Sequence, residues 1–367
     1  MKKVIKIVSI VLLSVLGVVL IGYAALAIVF YQDTKYEYKE QKERLEKLLD
    51  DRYLPVDEVS FANFDIYNNE LRLNEIQVLA THNSYKRMPF MPFSKFLQFF
   101  GGQRVRNGHY GLPTLTEQLN RGIRGVEIDV VIYKKELRVI HDPIADWRTN
   151  GPDFKRTLQE IKLWSDINPN HIPINIMLQV RNSFCPYDHK IGKFKKEDIK
   201  MLDDTLGEIF GDDKIIKPAD VKGEYPSLRE AIEQNGWPKL SDCLGKVYFS
   251  LLIDDKPNEE YYIDIDPSFE KQRGFIFTRP DDEKKSYTAI ILADSPFTDG
   301  LQELINQNYI LRTRIDEQFD YTKERYDAAM TLGSQILATD HLEGNLLHKD
   351  YAVKLTSDNK TIIKRAI

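Results

Sequence analysis

Cysteine is nearly absent from this chain. Cys185 and Cys243 are the only two in 367 residues, too few for a disulfide scaffold and without metal-ligand spacing. The sequence permits one bridge between them and does not require it. A basic excess is absent too: 51 Lys and Arg stand against 56 Asp and Glu, for a formal net charge of -5 and a pI near 5.9. A nucleic-acid-binding protein normally shows a concentrated basic face, so that class of partner is set aside. There is no glycine-rich phosphate loop, no internal repeat and no low-complexity tract. Charge itself is missing from one stretch, Ile7 to Tyr31.

What is there starts with that stretch. A run of about 20 apolar residues is what a helix needs to cross the hydrocarbon core. Lys2, Lys3 and Lys6 precede it, which predicts a cytoplasmic N-terminus and a single-pass protein with its body outside the cytoplasm. A cleaved signal peptide is the alternative, and Ala25-Leu26-Ala27 offers a small-x-small site; the run is longer than the usual apolar core of such peptides. From Thr34 to Arg52, Glu and Lys alternate while Leu45, Leu48 and Leu49 keep helical spacing. This predicts a short helix that either lifts the body off the bilayer or packs on it. The expected boundaries are an anchor over 1–31, a polar helical stalk and linker over 32–74, and one domain over 75–367. With 42% hydrophobic residues, the chain can bury a large core.

Within that domain, strand-like runs alternate with helical patterns. The expected strands are Ile76–Ala80, Gly125–Tyr133, Leu137–Ile140, Ile172–Val180, Lys246–Ile253, Gly274–Phe277, Ala289–Ala293, Ile310–Ile315 and Gln335–Ala338. Helices are expected over Thr114–Arg121, Phe154–Asp166, Lys196–Phe210, Ser227–Gln234 and Tyr321–Leu332. Thr114 with Glu117 three residues on is a capping-box signal. Alternation without a phosphate loop favours a (β/α) barrel over a doubly wound sheet. Lys86 to Pro113 reads as a long loop rich in Phe and Met, either a lip that contacts lipid or a cover over one barrel end. Tyr351–Ala366 closes the chain with two short β-like runs.

The chemistry gathers around Gly122 to Gly151. Glu127 and Asp129, at i and i+2 on a strand, share one face, while Val126, Ile128 and Val130 point the other way. Adjacent carboxylates repel unless a cation, a proton or an arginine lies between them. The paired strand ends in His141-Asp142-Pro143, and the first strand ends in His82-Asn83. With Gln179 at the end of a third strand, the strand ends supply Asn, Glu, Asp and Gln: hard oxygen donors that suit Ca²⁺, or less well Mg²⁺, rather than zinc. Two histidines beside such a metal suit a general base and a general acid on opposite sides of one phosphorus. The remaining histidines, His109, His171, His189, His341 and His348, read as solvated.

THNSY (81–85), LTEQLNRGIRGVEID (115–129), VIHD (139–142), LRTRID (311–316) and QILATD (335–340) resemble the calcium-dependent phosphoinositide-specific phospholipase C family. The resemblance covers most of residues 76–366 and is loosest between 185 and 305. It implies a TIM-type (β/α)8 barrel with Ca²⁺ in its mouth, cleaving an inositol phospholipid to diacylglycerol and a phosphorylated inositol. By that resemblance His82 is the base that takes the inositol 2-hydroxyl proton and His141 the acid that protonates the leaving glycerol oxygen. Asn83, Glu127, Asp129 and Gln179 are similar to the metal ligands. Arg181 takes a basic position beside them. Arg314 and Asp340 are candidates for substrate contacts at the barrel mouth, or for an internal ion pair joining the last two strands.

Gln179 departs from the family, which usually places a Glu there; a Gln oxygen ligates calcium without adding charge. HDPIADWRTNG also resembles the segment after the second histidine of glycerophosphodiester phosphodiesterases, but that group follows its first histidine with Arg-Gly where this chain has Asn83-Ser84. A third reading, a membrane-tethered binding barrel without turnover, draws on Gln179 and is opposed by the intact His82 and His141.

Overall fold

The computed structural model describes residues 1–50, 53–106, 108–282, 284–317, 322–342 and 351–366. The strands are β1 (Ile76–Thr81), β2 (Gly125–Tyr133), β3 (Glu136–Val139), β4 (Ile174–Val180), β5 (Ile191–Gly192), β6 (Val247–Leu252), β7 (Gly274–Thr278), β8 (Ile290–Leu292), β9 (Ile310–Arg314), β10 (Ile336–Thr339) and β11 (Ile362–Lys364). The helices are α1 (Lys2–Leu48), α2 (Met91–Arg106), α3 (Leu115–Asn120), α4 (Phe154–Ile167), α5 (Lys196–Phe210), α6 (Pro218–Lys222), α7 (Leu228–Asn235), α8 (Lys256–Ile263), α9 (Leu301–Asn306) and α10 (Lys323–Leu332).

Eight strands run parallel in the order β1-β2-β4-β6-β7-β8-β9-β10, and β10 returns to β1 to close the barrel. The expected (β/α)8 barrel is therefore what the chain forms. Apolar runs such as INIMLQV of β4 suit strands covered on both sides. The seam between β1 and β2 is narrow, resting on the pair Ala80 and Gly125. A Cβ on Gly125 would lie 2.4 Å from that of Ala80, so only glycine lets the two strands approach here. Beyond the barrel, the upper half of β2 pairs antiparallel with β3 and β5, and β11 pairs antiparallel with β1.

The helices cover the barrel with one apolar face each. In α4, Phe154, Leu158, Ile161 and Trp164 are all fully buried at helical spacing, and the Asp153 side chain caps the first turn. The Thr114–Glu117 capping box forms as expected at the start of α3.

Three expectations change. Lys86–Pro113 is not a plain loop: most of it is α2, with Pro92 in the first turn, where a missing N–H costs nothing, and a break at Gly102 (φ 54°). Of the two terminal β-like runs only Ile362–Lys364 is a strand. The Thr34–Arg52 helix does not stand free either. Helix α1 is continuous from Lys2 to Leu48, and Phe30, Glu37, Gln41 and Leu48 are buried against the body. Those positions share one helical face, so of the two readings the packed one holds. The apolar half before Tyr23 stays exposed and is long and apolar enough to cross a membrane. Both cysteines are buried free thiols.

Candidate active site

Barrel alternation turns Glu127 and Asp129 inward, away from the outer cluster that holds Val126, Ile128 and Val130. The register sets Asp129 beside Gln179 on β4. On the other side β1 ends at Thr81, so His82 and Asn83 emerge at the C-terminal rim, where such barrels carry their chemistry. Asn83 adopts a left-handed backbone (φ 52°), which asparagine tolerates better than most residues. The turn places its amide nitrogen 3.2 Å from His82 Nε2 and 3.1 Å from the Tyr110 hydroxyl. His82 Nε2 is 3.7 Å from Glu127 Oε1.

Each histidine is held by a carboxylate on Nδ1. For His82 it is Asp340 at 2.7 Å; for His141 it is Asp146 at 2.9 Å. With Nδ1 committed in this way, Nε2 is left as the nitrogen that exchanges a proton. Burial opposes ionisation of Asp340, yet the charges of Arg314 and His82 hold it far below the usual carboxylate range. Burial likewise works against the His141 imidazolium, but the hydrogen bond and charge of Asp146 outweigh it and raise His141 above the ordinary histidine value. Asp146 is kept low, against burial, by Lys86 and His141. Lys86 is itself buried, 3.0 Å from Asp146, and donates to the carbonyls of Gly108 and Tyr110.

His82, Asn83, Lys86, Tyr110, His141, Asp146 and Arg181 line one cleft of about 440 Å³. The two histidines, 59 residues apart in sequence, thus face the same space. A larger cleft of about 680 Å³, lined by Tyr38, Lys155 and Lys200 among others, lies away from them and mixes exposed charges of both signs.

Arginines attend both carboxylates. Arg181 Nη1 donates to Asp129 Oδ2 at 2.6 Å, and Arg312 pairs with Glu127. The second Asp129 oxygen, Oδ1, is buried with no hydrogen-bond partner; burial raises this carboxyl above its ordinary value against the pull of His141 and Arg181. Gln179 is partly exposed beside it. An orphaned carboxylate oxygen among amide and carboxylate donors fits a hard cation such as Ca²⁺. Among the described residues, no three His, Cys, Asp or Glu side chains form a metal-binding group by themselves, so a site here relies on the amides of Asn83 and Gln179.

Arg314 and Asp340 form the internal ion pair rather than open substrate contacts, and the fully buried Asp340 turns its other oxygen to His82. Sequence reasoning missed Arg312, Asp146, Lys86 and Tyr110. Arg312 was within reach, since the alternation that pairs Glu127 with Asp129 also pairs Arg312 with Arg314. Three histidines expected in solvent are buried: His109 bonds Ser94, His171 bonds Ser165, and His341 is enclosed. His348 lies outside the described residues.

An eight-stranded α/β barrel whose C-terminal mouth collects two carboxylate-held histidines and an all-oxygen donor set defines the class of molecule. The family profile described as "Phosphoinositide phospholipase C, Ca2+-dependent" matches residues 71–136 and 131–364. The chain belongs to that family, an enzyme family of phosphoric diester hydrolases that depends on Ca²⁺. Among solved structures, the chain is similar to the apo calcium-dependent phosphoinositol-specific phospholipase C of a Pseudomonas species, with 16% identity and a TM-score of 0.57, covering 83% of this chain and 98% of that one. It is also similar to the Ca²⁺-dependent phosphatidylinositol-specific phospholipase C of Streptomyces antibioticus, with 15% identity and a TM-score of 0.56, covering 81% and 100%. At such identities the likeness carries the fold alone. No curated protein matches the chain in sequence.

Proposed function

We propose that this protein is a membrane-anchored phospholipase C that cleaves the phosphodiester of inositol phospholipids on the extracytoplasmic side. The observation that carries the reading is the shared cleft of His82 and His141, each bound through Nδ1 to a carboxylate. His82 Nε2 takes the proton of the inositol 2-hydroxyl, and that oxygen attacks phosphorus. His141, whose acid form is favoured by Asp146, gives its proton to the departing glycerol oxygen, releasing diacylglycerol and a phosphorylated inositol. No Ser or Cys nucleophile is needed, because the attacking group belongs to the substrate and the protein supplies position and charge.

Asn83, Glu127, Asp129 and Gln179 are the residues proposed to hold Ca²⁺. When bound, the ion supplies positive charge to the phosphoryl oxygens. Arg181 lines the same cleft and is placed to add to that charge. The apolar half of α1 is the proposed single span, with Lys2, Lys3 and Lys6 on the cytoplasmic side.

Turnover of phosphatidylinositol by the purified full-length chain, with Ca²⁺ and with chelator, tests this reading. Release of diacylglycerol only with Ca²⁺ supports it. Preference for water-soluble glycerophosphodiesters would favour the related phosphodiesterase chemistry. Lipid binding without turnover, indifferent to His82→Ala and His141→Ala, would leave a binding barrel.

A further inference from the structure

The segment that follows His141 has almost no regular structure of its own. Residues 141–153 contain only isolated bridges and turns, so their backbone groups must find partners elsewhere. Helix α1 meets four of these backbone groups and two of the segment's side chains. Asp33 accepts from Trp147 Nε1 at 2.9 Å and from Arg148 Nε at 2.8 Å and Nη2 at 3.1 Å. The buried Glu37 accepts from the Thr149 amide at 3.0 Å. Gln41 donates to the Asp153 carbonyl at 3.0 Å and accepts from its amide at 3.1 Å, and Arg44 donates to the Asn150 carbonyl. Asp33, Glu37, Gln41 and Arg44 recur at helical spacing, so one face of α1 grips residues 147–153.

That grip borders the catalytic cleft. Asp146, which holds His141, immediately precedes Trp147, and the turn between the two is tied by Asp146 N to Asp142 O at 2.9 Å and Asp142 N to Asp146 O at 3.2 Å. The gripped segment also holds the chain after His82: Arg87 N donates to Arg148 O at 3.2 Å and Asn150 N to Tyr85 O. Phe30 adds one apolar contact, on Trp147, of the kind generic packing would supply. Here Asp33 and Glu37, the latter a buried carboxyl that burial pushes up to about 8, meet one irregular segment beside the cleft, while Gln41 and Arg44 also reach Thr157 and Glu160 of α4.

We infer that residues 33–44 of α1 are a positioning clamp for the general acid, fixing the 147–150 segment and through Asp146 the His141 imidazole. Asp33 and Glu37 are its central residues. Neither touches substrate. The inference rests on the proposed role of His141, and it gives the anchor helix a part in the rate of reaction as well as in location.

The test uses the full-length chain in detergent micelles, with phosphatidylinositol and with an inositol phosphodiester carrying a nitrophenyl leaving group. The paired variant Asp33→Ala/Glu37→Ala should lower kcat on the lipid about 10- to 100-fold, the scale of an ångström-level misplacement, with KM nearly unchanged. Most activity should return on the nitrophenyl substrate, whose leaving group needs no protonation. Glu37→Gln keeps an oxygen acceptor for Thr149 and should restore most of what Glu37→Ala loses. Undiminished kcat in the folded pair, or equal loss on both substrates, overturns the clamp. Should the pair fail to fold, Glu37→Ala against Glu37→Gln decides: loss confined to alanine and to the lipid supports it, and identical behaviour of the two overturns it. His141→Ala, run alongside, separates the two layers of the argument. If it shows no leaving-group dependence the acid assignment fails; if it does and the α1 variants do not, the clamp alone fails.

Discussion

His82 and His141 have similar geometry at Nδ1 and opposite proposed tasks, so their removal should read differently. Each His→Ala change should cost about 10²- to 10⁴-fold in turnover. A nitrophenyl leaving group should rescue His141→Ala in part and His82→Ala not at all; equal loss on both substrates would contradict the roles. The raised His141 value gives a pH test with a definite sign. The proposed role needs its acid form, so kcat/KM should fall as pH rises through that raised value. Asp146→Asn removes the group that raises it, so the alkaline limb should move to lower pH. A limb that stays in place belongs to another residue. At Gln179 the expectation concerns charge: Asn83, Glu127, Asp129 and Gln179 carry two formal charges where the family's usual Glu would make three. Half-maximal calcium should therefore lie roughly toward the 10⁻⁴–10⁻³ M end of the known range. Gln179→Glu should lower it. Calcium titrations of the two proteins check this, and superimposed curves would remove Gln179 from the ligand set.

The barrel elements were legible because burial on both faces leaves an apolar run that sequence displays directly. β2 spans Gly125–Tyr133 and α5 Lys196–Phe210, as the periodicity predicts. Helix α2 was less legible: Pro92 and the paired Gly101 and Gly102 look like loop punctuation, yet proline suits a first turn and the glycines mark a break within the helix. The residues of the proposed donor set were legible as residue types at strand ends. The partners Asp146 and Arg312 were not, because orientation of an imidazole or neutralisation of a buried acid depends on contacts far apart in sequence. Helix α2 also carries a prediction. Phe96, Phe99 and Phe100 are 59%, 87% and 72% exposed, on the helix whose Ser94 and Val105 line the cleft. Replacing all three by serine should lower activity on phosphatidylinositol vesicles about tenfold or more, since each buried Phe contributes roughly 1.5–3 kcal/mol, and leave a soluble inositol phosphodiester unaffected. Equal activity on vesicles would assign the three rings no lipid contact.

For the molecule as a whole, the charge-free run behind Lys2, Lys3 and Lys6 predicts residues 33–367 outside the cytoplasm. Protease added to intact cells should reach this body; digestion only after lysis would reverse the topology. Where α1 joins the body, Tyr23 donates to the Pro186 carbonyl just beyond β4, and Phe30 packs against Trp147 and Tyr187. The apolar half therefore leaves the barrel at its catalytic end. Since α1 runs unbroken for 47 residues, roughly 70 Å at the helical rise, this rod has no joint between membrane and enzyme. On the proposed topology the mouth cannot swing out to sample distant vesicles, and its search for lipid becomes two-dimensional. Rate would then follow the number of inositol lipids per unit area of the enzyme's own leaflet. Diluting the suspension would leave it unchanged, whereas diluting the lipid within the leaflet would slow it in proportion.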